Sequence, residues 1–142
     1  MKSRKIIWIT GGLSLLILAG FVVEKFIQDR IERNRLLHAL DLNELPGGTR
    51  IVATAEDIWT DYIVHFVVRL EEGKIDEFLS GRDFKAPEFG PNHPYRTQHE
   101  GYTSHLPHFD VYHQYFGKDE HFGITVETDE NGTWAYVVCV GD

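Results

Sequence analysis

The chain of 142 residues has little cysteine, with Cys139 as its single example. One cysteine excludes the internal disulfide framework that stabilises many small secreted domains. Two functional roles remain for the thiol: formation of an intermolecular disulfide, or service as a reactive group. Its neighbours, Val-Val-Cys-Val, favour a third interpretation, in which it is a small buried side chain of a β-strand.

The sequence also lacks the short motifs that identify many enzymes. It contains no Gly-x-Ser-x-Gly, His-Glu-x-x-His, Ser-x-x-Lys or Cys-x-x-Cys, and no glycine-rich phosphate loop. Ser104 lies near His105, His108 and Asp110 in sequence, but a catalytic triad is defined by geometry. We therefore predict that the protein is not an enzyme.

Basic residues are scarce after residue 40. Residues 41–142 hold seven Lys/Arg against nineteen Asp/Glu, a charge of −12, whereas residues 1–40 hold seven against three, a charge of +4. Such acidity argues against nucleic acid as a partner and against a second contact with anionic lipid. It suits a basic partner or cations, and it equally serves solubility.

One long apolar run is present, Ile6 to Val23, which has eighteen residues without a charge. As a helix it rises about 27 Å, close to the hydrocarbon thickness of a membrane. The run is longer than the apolar region of a signal peptide and lacks a small-x-small cleavage site near its end. Because it is apolar on all sides, a buried core helix is disfavoured. We predict an uncleaved single transmembrane anchor at residues 6–23.

The charges that flank the predicted anchor bear on its orientation. Residues 1–5 form a basic tip, but four further cations closely follow the anchor, so the positive-inside count is undecided. The tip contains no acid, whereas acids are interleaved among the later cations. We predict a cytoplasmic N-terminus and an extracytoplasmic C-terminal domain in the cell membrane.

A helical stalk is predicted at residues 24–46, because oppositely charged residues recur there at i,i+4. Pro46-Gly47-Gly48 ends it, so the outer domain is assigned to residues 47–142. A first strand is expected at 49–56. Residues 62–70 fit a strand and a helix almost equally, and their β-branched and aromatic content favours a strand.

A short helix ended by Gly81 is predicted at residues 73–81. Residues 81–121 are rich in Pro, Gly and His and are predicted to be irregular, with a short helix or strand at 109–116. At the C-terminus two strands flank Asn131-Gly132, a strong hairpin signal. We expect the face of the last strand that carries Trp134, Tyr136, Val138 and Val140 to be the core side.

The predicted fold class is α+β. A single N-terminal transmembrane helix and its stalk precede a small antiparallel sheet of about four strands, one short helix and a long Pro/Gly/His-rich insert.

Six of the eight histidines fall within residues 93–121. Imidazole is a common ligand of Zn²⁺ and Cu²⁺, and the candidate metal ligands are His105, His108 and His113. Their spacing suits a helical site poorly, because Leu106-Pro107 separates the first two and the last two are five residues apart. The alternative is a polar loop whose imidazoles form local hydrogen bonds or face water.

Two functions follow from these patterns. The aromatic residues among the histidines suit a protein-binding face, and they equally suit a loop that must attach itself to a small sheet. The first function is therefore a membrane-anchored domain, without a cofactor, that binds another protein or a component of the cell envelope. The second is an extracytoplasmic histidine-rich domain that binds Zn²⁺ or Cu²⁺ or responds to pH through its 93–121 loop.

Overall fold

The computed structural model describes residues 2–57, 62–86, 94–118 and 122–141, and within them the side chains from residue 17 onward. The chain divides into two compact units, Met1–Asn34 and Arg35–Asp142. Helix α1, Lys2–Leu40, supplies the described part of the first unit and the beginning of the second.

Within the first unit, the large apolar side chains of α1 from Ile17 to Ile31 are all exposed. Among the described residues, no helix is both long enough and apolar enough to cross a membrane. The predicted anchor, 6–23, falls largely on residues 6–16, whose side chains lie outside the described part.

The end of α1 differs from the predicted stalk. The helix stops at Leu40 and not at Pro46, because Asp41 adopts a left-handed φ of 55°. Its last turn is buried in the second unit through Leu36, Ala39 and Leu40. This unit therefore begins at Arg35, before the boundary predicted at residue 47.

The second unit is a mixed α+β structure with a small antiparallel sheet and few helices, as predicted. The sheet has five strands, where about four were expected: β1 Arg50–Asp57, β2 Tyr62–Arg69, β5 His113–Lys118, β6 Phe122–Thr128 and β7 Trp134–Gly141. Their order in the sheet is β1-β2-β7-β6-β5. The strand prediction for residues 62–70 is confirmed by β2.

Three shorter elements complete this unit. Helix α2, Ile75–Phe78, confirms the predicted short helix. Strands β3, Tyr95–Arg96, and β4, Asp110–Val111, pair as a separate two-stranded ribbon. The segment predicted to be irregular thus supplies β3, β4 and β5, and residues 109–116 contribute strand and not helix.

The main core lies on one face of the sheet, where the end of α1 and Phe78 of α2 cover it. Ala135 and Val137 point into this core, whereas Trp134, Tyr136 and Val138 belong to a smaller cluster with Val67 on the opposite face. The predicted core side of the last strand thus packs in the smaller cluster, except for Val140, which is 40% exposed, and the main core lies on the other side. Alternation alone could not distinguish the faces, since β7 carries apolar residues on both.

The C-terminal hairpin formed by β6 and β7 is confirmed. Gly132 has a φ of 64°, which glycine adopts without strain. The Asp129 carboxylate accepts hydrogen bonds from the backbone N–H groups of Thr133 and Trp134, at 2.7 and 2.9 Å. The turn is thus stabilised by the Asp129 side chain as well as by Gly132.

Residues 94–111, named here the cover segment, lie over the second face of the sheet. Leu106 is buried there beside Val67 and Tyr136, and a 3₁₀ turn, Gly101–Thr103, contacts β1. The Thr97 N–H donates to the carbonyl of Phe109 at 3.0 Å, which closes the segment on itself. The sheet is therefore covered by helix on one face and by the cover segment on the other.

Candidate functional site

His65 stands at the centre of the face beneath the cover segment. It lies on β2 opposite Val138, and Val67 lies opposite Tyr136, so His65 and Tyr136 are diagonal neighbours across two strands. The Nδ1 atom of His65 lies 2.6 Å from the Tyr136 hydroxyl. Its Nε2 atom lies 2.8 Å from the hydroxyl of Tyr102, which the cover segment supplies. His65 thus joins the sheet to the segment above it.

Two histidines of the cover segment lie beside this bridge. The ring of His99 packs edge-on against the ring of Tyr136, with centroids 4.8 Å apart, and lies 4.7 Å from the ring of His108. We name the set His65, His99, Tyr102, His108 and Tyr136 the histidine–tyrosine cluster. His65 and His99 are buried, with exposed fractions of 8% and 7%.

Backbone carbonyls determine which ring nitrogens carry protons. The Nε2 of His99 lies 3.1 Å from the carbonyl oxygen of Pro107, and the Nδ1 of His108 lies 2.6 Å from that of Thr97. A carbonyl oxygen only accepts, so each of these nitrogens must donate. The other nitrogen of His99, Nδ1, is buried and has no hydrogen-bond partner among the described residues.

The cluster favours neutral imidazoles. Burial lowers the pKa of His65 below its ordinary value, and the nearby His99 lowers it further, whereas Asp57 opposes both effects. Burial also lowers the pKa of His99, helped by His108 and His105 and opposed by the Pro107 carbonyl and by Glu127. Burial raises the pKa of Tyr136, so its hydroxyl stays protonated and can donate or accept.

A cleft of about 370 Å³ opens beside the cluster. Its lining comes from β3, the residues that follow β3, and His108: Tyr95, Arg96, Thr97, Gln98, His99, Glu100 and His108. Tyr95 is fixed at one side by hydrogen bonds of 2.5 Å to Glu127 and to Gln114. The cleft is thus bounded by polar and aromatic groups and has a buried histidine in its wall.

The predicted metal ligands do not occupy one place. His105 donates from Nε2 to the carbonyl of Thr54 on β1 at 2.9 Å, His108 lies in the cluster, and His113 begins β5 on the exposed surface. Over the described ranges, no group of three or more His, Cys, Asp or Glu side chains could hold a metal ion. His93 and His121 lie outside those ranges. The Zn²⁺ or Cu²⁺ site stays a prediction.

Sequence reasoning did not select His65, Tyr102 or Tyr136 as site residues, and it included His99 only as one of the six histidines within residues 93–121. One signal was available, because His65 is the polar residue in the otherwise apolar stretch Tyr-Ile-Val-His-Phe-Val-Val. A polar side chain in a strand covered on both faces needs a buried partner. Nothing in the sequence identifies Tyr102 and Tyr136 as those partners, since they lie 37 and 71 residues away.

The three imidazoles of the cluster form hydrogen bonds with hydroxyl and carbonyl oxygens. The hydrogen bonds described for the three imidazoles go to tyrosine hydroxyls and backbone carbonyls, and a nucleophile–base–orienter arrangement needs other partners. Comparison with family models, with curated proteins and with solved structures found no match.

Proposed function

We propose that this protein is a single-pass membrane protein whose outer domain binds another protein or a component of the cell envelope. Residues 6–23 are the anchor, the N-terminus is cytoplasmic, and the acidic domain within residues 47–142 lies outside the cell membrane. The role is binding and not catalysis.

The anchor is supported by the exposed apolar surface of the first unit. Ile17, Leu18, Phe21, Val22 and Val23 each expose more than half of their surface. Burying such a side chain gains about 1.5–3 kcal/mol, so a continuous exposed run in water is unfavourable. These residues continue the uncharged run that begins at Ile6, and hydrocarbon would cover both parts together.

The binding surface is supported by the outer side of the cover segment and its continuation. Tyr95, Tyr102 and Tyr112 remain 36–44% exposed there, although the same region buries Leu106 and His99. Tyrosine supplies a large contact area at low entropic cost, and tyrosine and arginine are enriched among residues that dominate binding. The cleft places Arg96 beside Tyr95. This exposed aromatic surface beside a cleft is the single observation that carries the proposed binding role.

Crosslinking in intact cells tests the binding role. We expect a reproducible crosslinked partner for the natural chain, recovered about tenfold less with Tyr112→Ala or Arg96→Ala, the loss typical of one important interface residue. Both positions are exposed, so each variant should keep the fold. Deleting residues 81–121 is unsuitable, because it would remove β5 from the sheet.

Matched controls come from the same residue types away from the cover segment. Tyr62 is 46% exposed at the start of β2, and Arg50 is exposed at the start of β1. Tyr62→Ala and Arg50→Ala should leave the crosslinked product unchanged. The proposed binding surface is wrong if these controls lose the partner as strongly as the test variants, or if no partner recurs between preparations.

A further inference from the structure

We propose that the open edge of β3 takes an extended, basic segment of the partner protein as an added β-strand. The edge runs along residues 95–100, and we name it the β3 edge. The inference rests on the proposed binding role and deepens it, because it assigns to the same surface a partner of stated chemistry and a way of holding it. In such a complex, main-chain hydrogen bonds hold the added strand and its side chains give selectivity.

The pairing of β3 with β4 shows which main-chain groups lie on this edge. The two strands are antiparallel, and their register continues beyond β3 to Thr97, whose N–H donates to the carbonyl of Phe109 at 3.0 Å. The carbonyl of Thr97 accepts from Nδ1 of His108 at 2.6 Å on that same side. Successive residues of a strand turn their main-chain groups to opposite sides, so those of Arg96 and Gln98 point away from β4.

The extended stretch continues from β3 to Glu100. Thr97 and His99 are only 3% and 7% exposed, whereas the residues between and beside them are exposed, which is the period of two of a strand. The N–H of Glu100 donates to the hydroxyl of Thr103 at 3.1 Å, so the edge ends there. The cleft of about 370 Å³ follows this stretch, because six of its seven lining residues are residues 95–100.

The β3 edge is more open than the two edges of the main sheet. Within the described residues, β3 pairs with a strand on one side only, which is β4. Strand β1 is interrupted by a bulge, and its Thr54 carbonyl already accepts from His105. Strand β5 is paired at Phe116 with Lys85 through two hydrogen bonds of 2.9 Å. Bulges and occupied main-chain groups protect a sheet edge from further pairing, so a new strand is expected at β3.

The charges beside the edge favour a basic segment. Glu100 lines the cleft, and Asp110 lies opposite Arg96 on β4. Glu127 accepts a hydrogen bond from the Tyr95 hydroxyl at the side of the cleft. These three carboxylates against one guanidinium leave a charge of −2, and residues 41–142 as a whole carry −12. Because complementary charge steers the encounter and selects partners, lysine or arginine is expected in the added strand.

Amide hydrogen exchange of the full chain in detergent micelles, followed by NMR, tests the edge before any ligand is added. The amides of Arg96 and Gln98 should exchange roughly tenfold faster than that of Thr97, because the Thr97 N–H is bonded to Phe109 and theirs face the open edge. Protection of Arg96 and Gln98 equal to that of Thr97 would show that the edge is already occupied, and it would overturn the proposal.

The probe is the heptapeptide acetyl-Thr-Lys-Val-Lys-Val-Lys-Thr-amide, and its matched control carries Glu in place of each Lys. At about 1 mM, a concentration suited to weak recognition, the basic peptide should slow exchange at Arg96 and Gln98. The acidic peptide should need a roughly tenfold higher concentration for the same effect. Amides of the β6–β7 hairpin should be unchanged. No slowing at Arg96 and Gln98, or equal effects of the two peptides, contradicts a basic added strand.

N-methylated peptides separate strand addition from binding through side chains. Methylation of every second amide leaves one edge of the peptide with its donors, so the slowing at Arg96 and Gln98 should persist. Methylation of all amides removes the donors from both edges, and the slowing should then be lost. Slowing that survives complete methylation would show that the peptide is held by its side chains and not as a strand.

Exposed acids of the chain test the charge preference. Asp110→Asn on β4 should weaken binding of the basic peptide about threefold, the size of one exposed charge pair. Glu130→Gln makes the same charge change in the hairpin turn and should leave binding unchanged. Equal losses in both variants contradict a local preference at the β3 edge. Crosslinking with Tyr112→Ala tests the binding role separately, so a crosslinked partner together with a failed peptide test overturns the added strand alone.

Discussion

At the scale of single residues, position 81 requires glycine, because two backbone segments approach each other closely there. An added Cβ atom would lie 2.2 Å from the carbonyl oxygen of Leu40 and 2.5 Å from that of Asp41. We expect Gly81→Ala to lower the free energy of unfolding by about 1–3 kcal/mol, because backbone must move. Urea unfolding of the full chain measures it. Gly123→Ala, where no atom of the described residues lies within 4 Å, is the matched control, and an equal effect there would contradict the explanation.

Cys139 gives a second prediction at this scale. It is a free cysteine against the main core, and burial raises the pKa of its thiol to about 12, with Arg82 acting in the opposite direction. The thiolate is the reactive form, so a thiol reagent at pH 8 should not label the folded chain but should label it fully in denaturant. Gln98→Cys in a Cys139→Ser background supplies an exposed comparison. Rapid labelling of folded Cys139 would indicate an accessible thiol.

The predicted metal ligands can be tested residue by residue. If His105 and His108 hold Zn²⁺ or Cu²⁺, calorimetric titration of the full chain should show binding that disappears in the His105→Ala/His108→Ala double variant. His38→Ala, on α1 outside the predicted set, should leave binding unchanged. Binding that survives the double variant contradicts this site. Binding seen only at high metal concentration also contradicts it, because ordinary surface histidines explain such weak binding.

At the scale of elements, substitutions in the two parts of α1 should differ in their effect on the free energy of unfolding. Leu40 is fully buried in the main core, whereas Ile27 is 53% exposed in the first unit. We expect Leu40→Ala to cost about 2–5 kcal/mol of unfolding free energy, because it leaves a cavity. Ile27→Ala should stay within about 0.5 kcal/mol. Circular dichroism during urea unfolding compares them, and similar costs would mean that the end of α1 is not part of the folded core.

Within the second unit, Arg82 binds the end of this helix. Its guanidinium donates to the carbonyls of Ala39 and His38, at 2.6 and 3.2 Å, where a helix leaves carbonyls without partners. It also stacks over the ring of Phe122, 4.6 Å from its centroid. The last turn of α1 is thus held in the second unit by hydrogen bonds as well as by burial.

At the scale of the whole molecule, the proposed topology predicts protease sensitivity. If the C-terminal domain lies outside the membrane, protease added to intact cells or spheroplasts should remove a C-terminal epitope tag while a cytoplasmic marker remains intact. The basic tip of residues 1–5, which contains no acid, agrees with a cytoplasmic N-terminus. Protection of the tag until the membrane is permeabilised would reverse the topology.

Short-range patterns in the sequence predict the local elements of this protein. Asn131-Gly132 predicted the hairpin, the β-branched and aromatic content predicted β2, and the spacing of Ile75 and Phe78 predicted α2. Each signal acts over a few neighbouring residues, through turn geometry or the periodicity of side chains, so it does not depend on the rest of the chain. The mixed α+β class follows from the same elements.

Which residues contact one another depends on long-range packing, which these patterns do not report. Both faces of β7 are apolar, so the choice of Ala135 and Val137 for the main core depended on where the end of α1 packs. The bulge between Ile51 and Ala53 turns the two residues to different clusters, which no alternation predicts.

His65 reaches Tyr136 across 71 residues and Tyr102 across 37, because strand pairing and the cover segment bring them together. The candidate site is made of such long-range contacts, whereas sequence patterns report only on near neighbours.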